Sequence, residues 1–138
     1  MDALLQSKAA LQSKALLCKA CELGKLLQDH QGEDVVVMDM RNLNFWTDFF
    51  VIATVRSNTH LKGLERHIKD FVQENELEIL NRSGRRSRKP DTDDEWCLLD
   101  LGGIVVHLMT SRTRSFYELE RLWSAAPIIY GTYSSKSS

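Results

Sequence analysis

Apolar positions recur along the chain with two periods. Leu16, Ala20, Leu23 and Leu27 fall at i, i+4, i+7 and i+11, one stripe of a helix that Gly32 is placed to stop. The doubled LQSKA at 5–9 and 11–15 is too short to mark a solenoid and reads as part of the same helical region. DVVVMDM (34–40) and FFVIATV (49–55) are β-branched runs apolar enough for buried strands, separated by a turn-like RNLN. Ser57 can cap a helix over 58–75 whose inward stripe is Leu61, Leu64, Ile68, Phe71 and Val72. LEILNR (77–82) suggests a third strand. The segment 83–95 has no periodic apolar signal and reads as a loop. WCLLDL and IVVHLM flank Gly102-Gly103, a two-residue hairpin signal. A short helix over about 112–125 ends before Pro127, with Phe116, Leu119 and Trp123 as its inward stripe. The order is α-β-β-α-β-β-β-α. It predicts an α+β domain with a mixed sheet of about five strands and helices mainly on one face, leaving the other face partly open.

The hairpin identifies that open face. With Gly102 and Gly103 in the loop, Leu101 faces Ile104, Leu99 faces Val106 and Cys97 faces Leu108, a uniformly apolar side that belongs to the core. The other side pairs Asp100 with Val105, Leu98 with His107 and Trp96 with Met109. Burying an unpaired carboxylate and imidazole costs several kcal/mol, ~2–7 for a neutral polar group alone. A plain solvent face seldom gathers Trp, Leu, Val and Met. The mixture suits a recognition patch, with Tyr117 on the rim beside it. The competing possibility is a second core layer with His107 bonded to Asp100.

The rest of the chain narrows the function. Its 138 residues suit one domain, and 43% hydrophobic with 27% charged residues is a globular balance. A net charge of -1 gives no broad basic surface for nucleic acid, so any RNA contact is local or comes through a partner. No run approaches the ~18 apolar residues of a membrane span. The N-terminus begins with an acid and has lysines through it, which does not fit a secretory signal. Residues 3–21 are acid-free and amphipathic, but they lack the arginines of a transit peptide. Three cysteines make no disulfide framework, which points to a cytoplasmic protein.

Catalytic chemistry finds little support. Cys18-Lys-Ala-Cys21 lies inside a helix, where a redox thiol needs a helix N-terminus, and no second CxxC completes a zinc site. His60 and His67 are two turns apart, too far to share a metal, and read as surface or capping residues. Asp34, Asp39 and Asp48 could in principle hold Mg²⁺, yet 34 and 39 differ by five along one strand and point to opposite faces. No Gly-rich phosphate cradle is present. Arg82, Arg85, Arg86, Arg88 and Lys89 could reach phosphates, but Asp91, Asp93, Asp94 and Glu95 follow at once, as in a self-neutralising loop. We expect no metal, no cofactor and no catalytic residue.

DVVVMDM, TDFFVIATVRSNTH and EWCLLDLGGIVVHLMTSRTRSFYELERLW, in that order and with a nearby AP, resemble the ribosomal silencing factor family, also called Iojap-related. The match spans about residues 14–127. Residues 1–13 then read as a helical extension and 128–138 as a flexible tail. The resemblance implies a two-layer, nucleotidyltransferase-like fold that has lost its active site. It implies a non-catalytic protein that binds the fourteenth protein of the large ribosomal subunit, where the small subunit docks. Blocking subunit joining would repress translation under nutrient limitation. It also implies a homodimer when free. The family's contact surface carries over to Trp96, Leu98 and Asp100 with His107 and Met109 on the paired strand. The N-terminal dozen residues and the long, charged 83–95 loop depart from the family pattern. The alternative function is a divergent metal-dependent nucleotidyltransferase-like enzyme, which would need two carboxylates on one face at bonding range for one ion.

Overall fold

The computed structural model describes residues 2–43, 47–85, 96–117 and 127–131. Helix α1 runs unbroken from Asp2 to Asp29. Its predicted stripe is the buried one: Ala20, Leu23 and Leu27 have no exposed surface, and Leu16 packs half-buried against them. Gly32 ends it for a steric reason. Its N–H donates to Leu27 O at 2.7 Å, and a Cβ at Gly32 would sit equally close to that oxygen.

Strand β1 (Glu33–Asp39) and strand β2 (Phe49–Val55) follow, with a single 3₁₀ turn at Arg41–Leu43 between them. Helix α2 (Asn58–Glu74) begins at Ser57, whose Oγ accepts from His60 N at 3.1 Å. Leu61, Leu64, Ile68, Phe71 and Val72 are all buried, as their spacing requires. Strands β3 (Asn81–Arg85), β4 (Trp96–Asp100) and β5 (Ile104–Thr110) lead to the short helix α3 (Ser111–Tyr117). Strand β6 (Ile128–Gly131) is last. The sheet order is β3-β4-β5-β2-β1-β6, parallel between β2 and β5 and antiparallel at every other pairing.

The α+β class and the mixed sheet match the sequence expectation, with two corrections. The sheet has six strands among the described residues, not about five, because residues 128–131 of the expected flexible tail pair with β1. The third strand lies at 81–85, not 77–82. Leu77 and Ile79 pack against the core from outside the ladder, and the ladder itself is the polar sequence NRSGR. The expected helix at 112–125 is described over 111–117. The inward positions Leu119 and Trp123 lie outside the described residues, as do the side chains of Phe116 and Tyr117.

The sheet separates two apolar clusters. Helices α1 and α2 cover the face carrying Val37, Val51, Leu99, Val106 and Leu108. The opposite face carries Val36, Met38, Phe50, Ile52, Val105 and Met109. Gly84 shows how tightly β3 lies on its neighbour. At φ 154°, its Cβ would collide with Trp96 O and meet Cys97 Cα at 2.9 Å. Backbone cannot yield as a side-chain tip can. Gly84→Ala is therefore expected to lower stability by about 1–3 kcal/mol, read as a shift in urea midpoint.

Candidate functional site

The β4–β5 hairpin has the register that its alternation predicts. Trp96 is opposite Met109, Cys97 opposite Leu108, Leu98 opposite His107, Leu99 opposite Val106 and Asp100 opposite Val105. Gly102 takes the positive φ of 97° that the two-residue loop needs, and Leu101 N closes on Ile104 O at 2.8 Å. Gly103 O accepts from Asp48 N and Phe49 N, which ties the loop to the start of β2.

Cys97, Leu99, Leu101, Ile104, Val106 and Leu108 are buried on the helix side. The other side is graded. On β4, Trp96, Leu98 and Asp100 alternate half-buried with the two buried residues between them. On β5, His107 is 6% exposed and Met109 is fully covered. The sequence reading put all five on an open face. The structure keeps them on one face but confines the accessible part to β4, with His107 and Met109 beneath it. Tyr117, the sixth residue of that reading, has its side chain outside the described residues.

Each polar group on this face has a local setting. Asp100 Oδ1 accepts from Gly102 N at 2.9 Å, so the carboxylate shapes the hairpin turn. The His107 ring lies edge-on to Phe50, with centroids 4.8 Å apart and planes at 74°. Beside β4, Asn81 pairs with Asp100 and Ser83 with Leu98, which places both polar residues on the same face as their partners. Leu43 packs half-buried onto the same cluster as Trp96 and Leu98. The result is an indole and a leucine over a buried apolar floor, edged by a carboxylate, an amide and a hydroxyl. Sequence reasoning missed Asn81, Ser83 and Leu43. The first two required the true position of β3, and the third lies in a turn with no period.

The titratable motifs divide between structural roles and residues that lie elsewhere. Arg41 spans Asp39: its Nε and backbone N donate to Oδ1, and Nη2 donates to Oδ2 at 2.6 Å. These bonds hold the Asp39 carboxyl below the usual carboxylate range. Asp34 sits in the irregular stretch of β1 at φ 46°. Among the described residues, no group of three or more His, Cys, Asp or Glu side chains is placed to share a metal. Cys18 and Cys21 lie within α1, and burial, with a smaller effect of Cys18, pushes the Cys21 thiol up, away from thiolate chemistry. His60 Nδ1 accepts from Arg56 N, its Nε2 lies 3.1 Å from His30 O, and His67 stacks on His30. Arg82 leaves the basic cluster altogether. It grips Glu65 through Nε at 2.7 Å and Nη2 at 3.0 Å behind β4. Residues 86–95, with the remaining basic and acidic blocks, lie outside the described residues.

Residues 12–137 match the sequence pattern of the family described as "Ribosomal silencing factor during starvation". The chain belongs to the ribosomal silencing factor family. It is 33% identical over 100 residues to the ribosomal silencing factor RsfS of Bacillus subtilis, covering 72% of this chain and 80% of that one. It is 31% identical over 102 residues to the mouse protein named "Mitochondrial assembly of ribosomal large subunit protein 1", covering 74% of this chain and 43% of that one. The fold matches a crystal structure of a Bacillus halodurans protein with a TM-score of 0.63 and 29% identity, over 85% of this chain and 98% of that chain. Silencing factors are named for regulation of the ribosome, and among the described residues of this one no helix is long and apolar enough to cross a membrane.

Proposed function

We propose that this silencing factor acts without catalysis in the cytoplasm. It binds the large ribosomal subunit through a protein on the subunit interface, the fourteenth of the large-subunit series, and blocks joining of the small subunit. Translation would be repressed under nutrient limitation. The docking surface is the β4 part of the second face, with Trp96 and Leu98 as apolar anchors and Asp100 at the rim; His107 and Met109 support it from below, and Tyr117 is the sixth contact residue of this reading. The observation that carries this reading is Trp96. It is a half-buried indole packed on a buried apolar cluster, on the face that α1 and α2 do not cover. The name of the mouse relative, which refers to the large subunit, supports the choice of subunit. The unit doing this work is the expected 14–127 domain together with β6, free as a homodimer, with any rRNA contact local.

Gradient centrifugation with separated ribosomal subunits tests the proposal. The protein is expected in the large-subunit fraction and absent from the small-subunit and joined-ribosome fractions. Equal recovery in all three would remove the steric-block mechanism.

A further inference from the structure

Strands β2 and β5 run parallel, and Val55 stands beside Thr110 at their carboxyl ends. The chain leaves these two ends toward opposite faces. After β2 it enters α2, whose Leu61, Leu64 and Ile68 join the helix-side core. After β5 it enters α3, whose Arg114 Nη1 donates to Thr54 Oγ1 at 2.9 Å. Thr54 alternates with Phe50 and Ile52 of the second cluster, so α3 reaches the other face. Where adjacent parallel strands send their connections to opposite faces, a crevice opens at the strand ends. Open α/β sheets bind ligands in such crevices.

Here the crevice has a volume of about 520 Å³. That falls within the range of small-molecule sites. Its walls carry Arg56 and Arg112, the hydroxyl residues Thr54, Thr110 and Ser111, and Glu33. A third guanidinium, Arg114, is buried behind the wall, with Nη1 also donating to Asp34 O at 2.7 Å. The Thr54 and Thr110 hydroxyls are buried and bonded to Arg114 and Thr113, so the exposed donors on the walls are the Arg56 and Arg112 guanidiniums and the Ser111 hydroxyl, groups that match the acceptor oxygens of a phosphate. Glu33 opposes them, held by Arg56 Nε at 2.8 Å. Both partners of that pair stand well exposed, at 61% and 48%, so water screens the pair and a stronger anion can exchange for it at little cost.

We propose that this crevice binds a small phosphate-bearing ligand up to nucleotide size, with Arg56 and Arg112 as its clamp and Glu33 as the carboxylate it displaces. A compact open crevice with two arginines, on a chain of net charge -1, favours a small molecule over an RNA backbone, which needs an extended basic track. The crevice adjoins the proposed docking face, since Thr54 stands beside Met109 in the sheet, but it uses other side chains and its test involves no ribosome.

The test is calorimetric titration of the full chain at low ionic strength with pyrophosphate, a nucleoside diphosphate and a short single-stranded RNA. The small phosphates are expected to bind. The double variant Arg56→Ala/Arg112→Ala should weaken them about tenfold or more. Glu33→Gln should tighten them by removing the competing carboxylate. Arg56, Arg112 and Glu33 are all exposed, so urea midpoints should stay at the parent value and confirm folding. Tighter binding of the nucleoside diphosphate than of pyrophosphate would identify a nucleotide. Equal binding would identify the phosphate alone, and both results support the site. The proposal is overturned if neither small phosphate binds, if the double variant binds as the parent does, or if RNA is preferred to both.

Discussion

Trp96→Ala is expected to weaken binding to the large subunit about thirtyfold while shifting the urea midpoint far less than a core truncation does. The indole is half-buried on β4 and packs on Met109 and its neighbours, so part of its surface is available to a partner. An aromatic anchor that becomes desolvated at an interface commonly contributes ~2 kcal/mol or more, which converts to that loss of affinity. Leu99→Ala is the matched control. Leu99 lies three residues along the same strand, points to the helix side and has no exposed surface. Its truncation should cost about 2–5 kcal/mol of stability and reduce binding only through unfolding. Affinity for purified large subunits and urea midpoints on the same preparations separate the two. A collapsed midpoint for Trp96→Ala would return the indole to the core. Unchanged affinity and midpoint together would remove it from the docking surface.

This contrast was legible before any coordinates because the hairpin combines two strong local rules. Strand side chains alternate with period two, and a two-glycine loop fixes which residues oppose each other. Together they placed Trp96, Leu98 and Asp100 on one face and Leu99 on the other. Those rules say nothing about depth. His107 and Met109 sit on the face that alternation assigned, yet their burial depends on central position in a six-stranded sheet. The same limit explains β3. Leu77 and Ile79 carry the apolar signal, but they reach the core from the approach to the strand. Asn81–Arg85 forms the ladder without such a signal, since an edge strand can be polar and still be held by backbone pairing. β6 is four residues long and becomes a strand only because β1 offers an edge. The crevice was invisible for a related reason: its residues come from the ends of β2 and β5, and their proximity is a product of parallel pairing between segments 55 residues apart.

Arg82→Ala should destabilise the fold by about 3 kcal/mol at neutral pH, a larger effect than its place in a polar edge strand suggests. Glu65 lies on the buried face of α2, 5% exposed, and a lone carboxylate there would be unsolvated. Arg82 supplies two bonds to it, Lys69 approaches at 3.5 Å, and the Cys97 thiol lies 3.9 Å away. Breaking a buried pair by removing one partner costs ~3–5 kcal/mol, and Arg82, 25% exposed, belongs at the low end of that range. The pH dependence follows from the same geometry. The Arg82 hydrogen bonds, more than its charge or that of Lys69, hold the Glu65 carboxyl below its usual range. A carboxyl with a depressed folded pKa contributes its stability above the ordinary carboxylate range. That contribution disappears as pH falls through the folded value. In the parent chain the urea midpoint should therefore decline on acidification through and below the ordinary range, and Glu65→Gln should flatten that decline. The cost of Arg82→Ala should shrink over the same interval, because a protonated Glu65 no longer needs a cation. The double variant Glu65→Leu/Arg82→Met supplies the final discrimination, since apolar replacement of both partners of a buried pair is often neutral or stabilising. Recovery of the parent midpoint in the double variant, with loss in Arg82→Ala, would locate the cost in the stranded carboxylate. Equal loss in both would place it in the packing of the Arg82 side chain between α2 and β4.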